Sequence, residues 1–292
     1  MLFATATLAA RIERAESTLA SDFAEAARHR RSDVIIRPFA GSAAIFAGPD
    51  QPFNKVVGLG FDGPVDVDVL DEIEREFDAL DAPIRVEHAS LADPAVATLL
   101  TTRGYRLVGF ENVLGLELTA ERITDAAAHV RAHETRGISA GVASSIETSD
   151  WTAALLDGFE HPDVYDGPPS DESFARESIE AVFGDYARVP GIARFVGRRE
   201  GIIAGAAAMR ILDRLAQLCG AATRPEHRRQ GVQSVLLQAR LVHAAEKGCD
   251  LAVVTTQAGS KSQENVQRAG FALLYTRAIL VRPAGTERRA SA

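Results

Sequence analysis

The sequence predicts an α+β (α/β) chain built as two lobes, and three observations lead there. Its 292 residues exceed one ordinary hydrophobic core and suit two domains of ~140 residues each. Short apolar, strand-like runs alternate with stretches whose apolar residues recur at spacings of three and four, the period of a helix face. A strand–helix–Gly-aromatic–strand unit also occurs twice. Arg103-Gly104-Tyr105-Arg106-Leu107-Val108 in the first half echoes Ala269-Gly270-Phe271-Ala272-Leu273-Leu274 in the second. Each glycine suits the left-handed position that ends a helix.

The elements follow in order. Met1 to Ala10 is apolar but lacks a basic start, and Arg11 interrupts it. It reads as the opening of a helix to about Arg28 and not as a signal peptide. Lys55 to Phe61 reads as a strand leading into a helix whose start is crowded with Asp62, Asp66, Asp68, Asp71 and Glu72. Pro83 to Glu87 is a strand, followed by the helix that Gly104 closes. Thr119 to Arg136 is polar and Ala-rich and separates the halves. The division expected is residues 1–125, a linker at 126–137, a second domain at 138–285 and a tail at 286–292. In the second half, Asp150 to Phe159 is a helix with Ser149 or Asp150 as N-cap. Glu160 to Ser170 is a loop by its Pro and Gly content, and 171–184 is helical. Strands over 193–196 and 202–211 form a hairpin around Arg198-Arg199-Glu200-Gly201. Arg214 to Ala222 is a strand, Val232 to Val242 a helix, and Leu251 to Thr256 a strand.

Composition bounds the function. Apolar residues are 46% and charged residues 25%, an ordinary globular balance. A net charge of −8 argues against nucleic acid, which needs a basic face. Cys219 and Cys249 cannot make a disulfide framework and lack metal-site spacing, so buried free thiols in a reducing compartment are expected and no metal is assigned. No run of 18 or more apolar residues suggests a membrane span. The expected location is cytoplasmic, with a homodimer left open.

The most informative stretch is Arg228-Arg229-Gln230-Gly231-Val232-Gln233, between the strand and the helix of the second half. A loop with glycine and cations that opens a helix offers free N–H groups and the positive dipole end to an anion. Gly231 is expected to let a diphosphate approach the backbone with no Cβ in its way. With Pro225 just upstream, the stretch resembles the coenzyme-A loop of the GNAT superfamily of N-acyltransferases, Arg/Gln-x-x-Gly-x-Gly/Ala. Gln233 stands where that pattern has a small residue. The resemblance covers the second half well and the first half weakly. It implies two GNAT-like domains, each a mostly antiparallel central sheet flanked by helices. The first copy is degenerate, because its acidic helix start repels a pyrophosphate.

The resemblance further implies acetyl-CoA as donor and direct attack by a small-molecule amine in a ternary complex. Pantetheine would lie in a gap after the strand Leu251 to Thr256, pairing with Cys219, Ala221, Ala222 and Thr223. An N–H near Ala221 or Ala222 would donate to the thioester carbonyl. Arg228, Arg229, Gln230, Gly231, Val232, Gln233 and Ser234 would cradle the diphosphate, and Ser262 and Asn265 would bind the pantetheine or adenine side. Many members place a Tyr acid four residues before the Gly of the Gly-Phe pair; here that position is Val266. Tyr275 is the substitute candidate. Glu160, His161 and Asp163 are candidate bases. A second reading is a non-catalytic acyl-CoA-binding or sensing protein, favoured by Val266 and Gln233.

Overall fold

A computed structural model of the chain describes residues 2–162 and 174–285. In the first half the elements are α1 (Ala6–Ala27), β1 (Ile35–Phe39), β2 (Ser42–Phe46), β3 (Val56–Val57), α2 (Val67–Ala79), β4 (Ile84–Ala89), α3 (Pro94–Thr102) and β5 (Arg106–Glu117). The second half carries α4 (Ala120–Glu134), β6 (Ile138–Val142), α5 (Thr148–Glu160) and α6 (Arg176–Asp185). It continues with β7 (Ile192–Arg199), β8 (Ile202–Leu212), β9 (Leu215–Thr223), α7 (Val232–Glu246), β10 (Leu251–Gln257), α8 (Lys261–Arg268) and β11 (Ala272–Arg282). Most strand pairs are antiparallel, as the predicted α+β class requires.

Two compact units emerge, and neither is continuous in sequence. Unit 1 comprises residue 2, residues 114–162 and residues 190–273; unit 2 comprises residues 3–113, 174–189 and 274–285. The sequence division at 126–137 separates two halves of the chain, whereas each compact unit takes in chain from both halves. Residues 126–134 of that stretch belong to helix α4. The Asp163 candidate, residues 163–170 of the predicted loop, residues 171–173 of the helix predicted over 171–184, and the tail at 286–292 lie outside the described residues; the described part of that helix is α6.

Unit 2 is organised by α1, which Thr5 caps by accepting from the Leu8 N–H at 3.1 Å. Its buried face presents Ile12, Leu19 and Phe23. The β1–β2 hairpin escaped the sequence reading. Its turn needs Ala40 and Gly41 at φ 47° and 73°. Strand β3 stops at Val57, short of the predicted Phe61, because Gly58 and Gly60 turn left-handed (φ 94° and 86°). Asp66 caps α2. Strand β3 runs parallel to β4 for two residue pairs, and β11 runs antiparallel to β4 from Arg277↔Ala89 to Arg282↔Ile84. The chain's last strand therefore completes the sheet of the unit that holds its first helix. Phe46, Leu70, Ile73, Phe77, Ile84, Leu100 and Leu280 fill the core.

Unit 1 has the strand order β10-β9-β8-β7-β6. Its strands are antiparallel except for the parallel pair β9–β10. The β7–β8 turn falls on Glu200-Gly201, with φ 53° and 82°, the last two residues of the predicted Arg198–Gly201 turn, whose first two belong to β7. Helix α5 begins at Thr148, after a 3-10 turn whose capping box is Ser144 with Glu147, so neither Ser149 nor Asp150 is the cap. Trp151 of α5 is fully buried, and its indole N–H donates to Ala207 O at 2.9 Å. Helix α7 packs Val232, Val235, Leu236 and Leu241 into the core with Phe195, Met209, Leu218 and Phe271.

Candidate active site

Strands β9 and β10 pair for only three residues, Leu215↔Leu251 to Gln217↔Val253. Both continue beyond that point, β9 to Thr223 and β10 to Gln257, with no pairing between them. This opening is the gap expected next to Leu251–Thr256. Burial follows it: β9 is buried through Leu218 and half-exposed at Cys219, Gly220 and Ala221. Cys249 is buried, while Cys219 is partly open, a departure from the two buried thiols expected.

A bulge sits in the opened part of β9. Ala207 faces Ala221 and Ala208 faces Cys219, so Gly220 has no partner opposite, and its φ is 49°. An isolated glycine inside a strand pattern is the sequence mark of such a bulge, and the sequence reading passed over it. Beyond the bulge, the Arg224 N–H donates to Ala204 O on the β8 side at 3.0 Å. Successive amides of a strand point to opposite edges. The Ala222 N–H thus belongs to the β8 ladder, and those of Ala221 and Thr223 face the opening. Of the two expected candidates, the Ala221 amide faces the opening and the Ala222 amide does not.

The loop after β9 leads to the start of α7. Gly231 is the N-cap at φ 90° and no side chain caps the helix, so the N–H groups of Val232, Gln233 and Ser234 begin it without intrahelical partners. Arg229 is left-handed (φ 60°) and exposed. Gln233 does not crowd this start; its side-chain oxygen accepts from the Thr223 hydroxyl at 3.4 Å. Gln230 donates to Glu226 O at 3.3 Å. Arg228 is engaged by the protein itself. Its guanidinium donates to Thr223 O at 3.2 Å, to Gly158 O at 3.3 Å and to His161 O, so it is bonded to carbonyls at the ends of β9 and α5.

Gly231 is also needed for a different reason from the one expected. A Cβ built there would lie 3.2 Å from the His133 imidazole. That Cβ position faces helix α4. His133 stacks on His129 with centroids 4.2 Å apart, and His129 Nε2 lies 2.9 Å from the Ser234 hydroxyl. Burial first, and the neighbouring His133 second, hold His129 below the usual imidazole range. A depressed histidine leaves stability intact above its unfolded pKa and costs stability as pH falls below it. The wild-type melting temperature of unit 1 is therefore expected to fall between pH 7.5 and 5.5 by more than that of His129→Gln. Equal losses in thermal melts would show that this pair does not carry the acid sensitivity.

At α8, Ser260 is the cap and accepts from the Gln263 N–H at 3.2 Å. Ser262 is exposed and Asn265 half-buried in the first turns. Val266, at the position of the expected acid, is buried in the unit 1 core. At the end of α5, His161 Nδ1 lies 2.9 Å from Asp157 O. That carbonyl can only accept, so Nδ1 carries a proton, and in the neutral imidazole Nε2 is the basic nitrogen.

Tyr275 does not fit the acid role. It belongs to the interior of unit 2, 4% exposed, and its hydroxyl donates to Glu13 at 2.6 Å. Burial and the Glu13 carboxylate push its phenol well above the ordinary range. Tyr275→Phe is expected to lower the stability of unit 2 by about 1–2 kcal/mol and to leave turnover per folded molecule unchanged. A urea titration beside a thioester assay separates the two effects.

A sequence profile of the Acetyltransferase (GNAT) family matches residues 155–271. That span runs from α5 through the opened strands, the loop and α8 to Phe271. No curated protein matches the chain. Among solved structures, a GCN5-related N-acetyltransferase from Kribbella flavida is 22% identical, with a TM-score of 0.60 and 95% of this chain and 96% of that one covered. A tandem GNAT protein from the clavulanic acid biosynthesis pathway is 12% identical, with a TM-score of 0.54 and 97% of each chain covered. A GCN5-related N-acetyltransferase from Sphaerobacter thermophilus is 14% identical at a TM-score of 0.53, covering 74% of this chain and 67% of that one. At these identities the likeness is one of fold.

Proposed function

We propose that this chain, a GNAT-superfamily N-acyltransferase whose family domain spans residues 155–271, moves an acetyl group from acetyl-CoA to the amine of a small molecule in a ternary complex. The observation that carries the reading is the opening between β9 and β10 that ends at the uncapped start of α7. An extended polar arm with an anion at its far end fits such a shape. Acetyl-CoA supplies the activated acyl group, and the chain's own residues do the rest.

The N–H groups of Val232, Gln233 and Ser234 hold the diphosphate, with Arg229 as the nearby exposed cation. The Ala221 N–H donates to the thioester carbonyl as charge gathers on it, which is where a fixed donor contributes most. Cys219 and Thr223 flank that donor, and Ser262 and Asn265 line the far side. His161 Nε2, with Glu160 beside it, takes the proton of the ammonium. Val266 leaves the departing thiolate without an acid, which a thiol of pKa ~8.5 tolerates. Holding amine and carbonyl together supplies the larger share, ~7 kcal/mol or more.

Calorimetry with acetyl-CoA, followed by thiol release over a panel of primary amines, tests the reading. Micromolar binding and amine-dependent release are expected. Absence of binding refutes it. Binding with no release on any amine favours the second reading, an acyl-CoA sensor, which the buried Val266 supports.

A further inference from the structure

Arg228 opens the cofactor loop, yet its hydrogen bonds run to the other side of the site. Helix α5 has no basic residue in its last turn. Its final carbonyls lack helical partners, and the dipole there favours a cation. The cation comes from Arg228, which bonds Gly158 O at 3.3 Å and also His161 O. The same guanidinium bonds Thr223 O at 3.2 Å, at the end of the opened strand. The two elements touch there as well. A Cβ at Gly158 would come within 2.4 Å of the Ala222 Cβ, so the glycine lets α5 press on β9 just past the bulge.

We propose that Arg228 is a positioning residue for the acceptor amine and not a phosphate ligand. It fixes the last turn of α5, with His161, against the end of β9, so that seating a diphosphate at the start of α7 also orders the acceptor side. The proposal rests on the N-acyltransferase reading of the site. A planar guanidinium suits the task because it can reach three carbonyls from one plane, which an ammonium cannot do in the same geometry.

Hydrogen exchange on the full chain tests it, with coenzyme A as the probe and Arg228→Ala beside Arg228→Lys. In the wild type, coenzyme A is expected to slow exchange in the last turn of α5 by about tenfold. In Arg228→Ala, that turn exchanges faster without ligand, and the slowing by coenzyme A disappears. Its calorimetric Kd for coenzyme A moves by less than about threefold. Millimolar guanidinium restores the ligand effect, and Arg228→Lys lies between the two. If α5 responds to coenzyme A equally in all three proteins, the proposal is wrong. A Kd weakened more than about tenfold in both variants, with α5 undisturbed, would make Arg228 a phosphate ligand and also overturn it. Wild-type protein that binds no coenzyme A would remove the N-acyltransferase reading itself, and the faster exchange of unliganded Arg228→Ala would still report the clamp.

Discussion

Arg277→Met is expected to destabilise unit 2 by about 3–5 kcal/mol, the cost of stranding buried carboxylates without their counter-charge. Arg277 is completely buried on β11, with Nε 2.9 Å from Glu13 and Nη1 3.2 Å from Glu87. Lys55 joins the cluster at 2.7 Å from Glu16 and 3.3 Å from Glu87. The network links α1, β4 and β11, so its loss weakens the hold on the last strand. Burial already pushes Glu13 above the ordinary carboxyl range, with Arg277 as the main opposing influence. Removing the guanidinium raises it further. A raised carboxyl contributes its stability below the unfolded pKa and loses it as pH rises through the folded pKa. The deficit of Arg277→Met should therefore shrink as pH falls toward the carboxyl range. Denaturant titrations at several pH values check this. A loss under about 1 kcal/mol at neutral pH would mean that solvent reaches the cluster and screens it.

Gly231→Glu is expected to weaken acetyl-CoA binding by about 100-fold, the loss of a charge-assisted contact and more. Two effects combine. The φ of 90° is strained for any residue with a Cβ, and that Cβ meets His133 at 3.2 Å. The added carboxylate then stands at the positive end of α7, where it competes with a phosphate. Gly231→Ala separates the two, since it carries the strain, about 1–2 kcal/mol, without the charge. Calorimetry and thermal melts on both variants decide the matter. An unchanged affinity in Gly231→Glu would place the diphosphate elsewhere.

The glycine-led start of α7 was legible because its signals are local. Gly231, Pro225 and the helix periodicity after Val232 need no tertiary contact to be read, and the same holds for the glycines that end α3 and α8. The contacts of Arg228 were not legible for the same reason: nothing beside it in sequence announces the carbonyl of a helix 70 positions earlier that it bonds. Tyr275 misled, since nothing near it in sequence announces Glu13. The Gly220 bulge could have been found, as glycine in a strand marks one. The His129–Ser234 contact could not, because 105 positions separate its partners.

Sequence by itself determined the class of fold, the doubled strand–helix–glycine unit, and the contrast between an acidic helix start in the first half and the glycine-led start of α7 in the second. Those features depend on backbone periodicity and local charge. Tertiary structure alone decided which amide faces the open strand edge, where the guanidinium of Arg228 goes, and that the final strand joins the unit containing the first helix. Each of these depends on which distant group satisfies a buried donor, acceptor or charge, and chain order does not encode that partner.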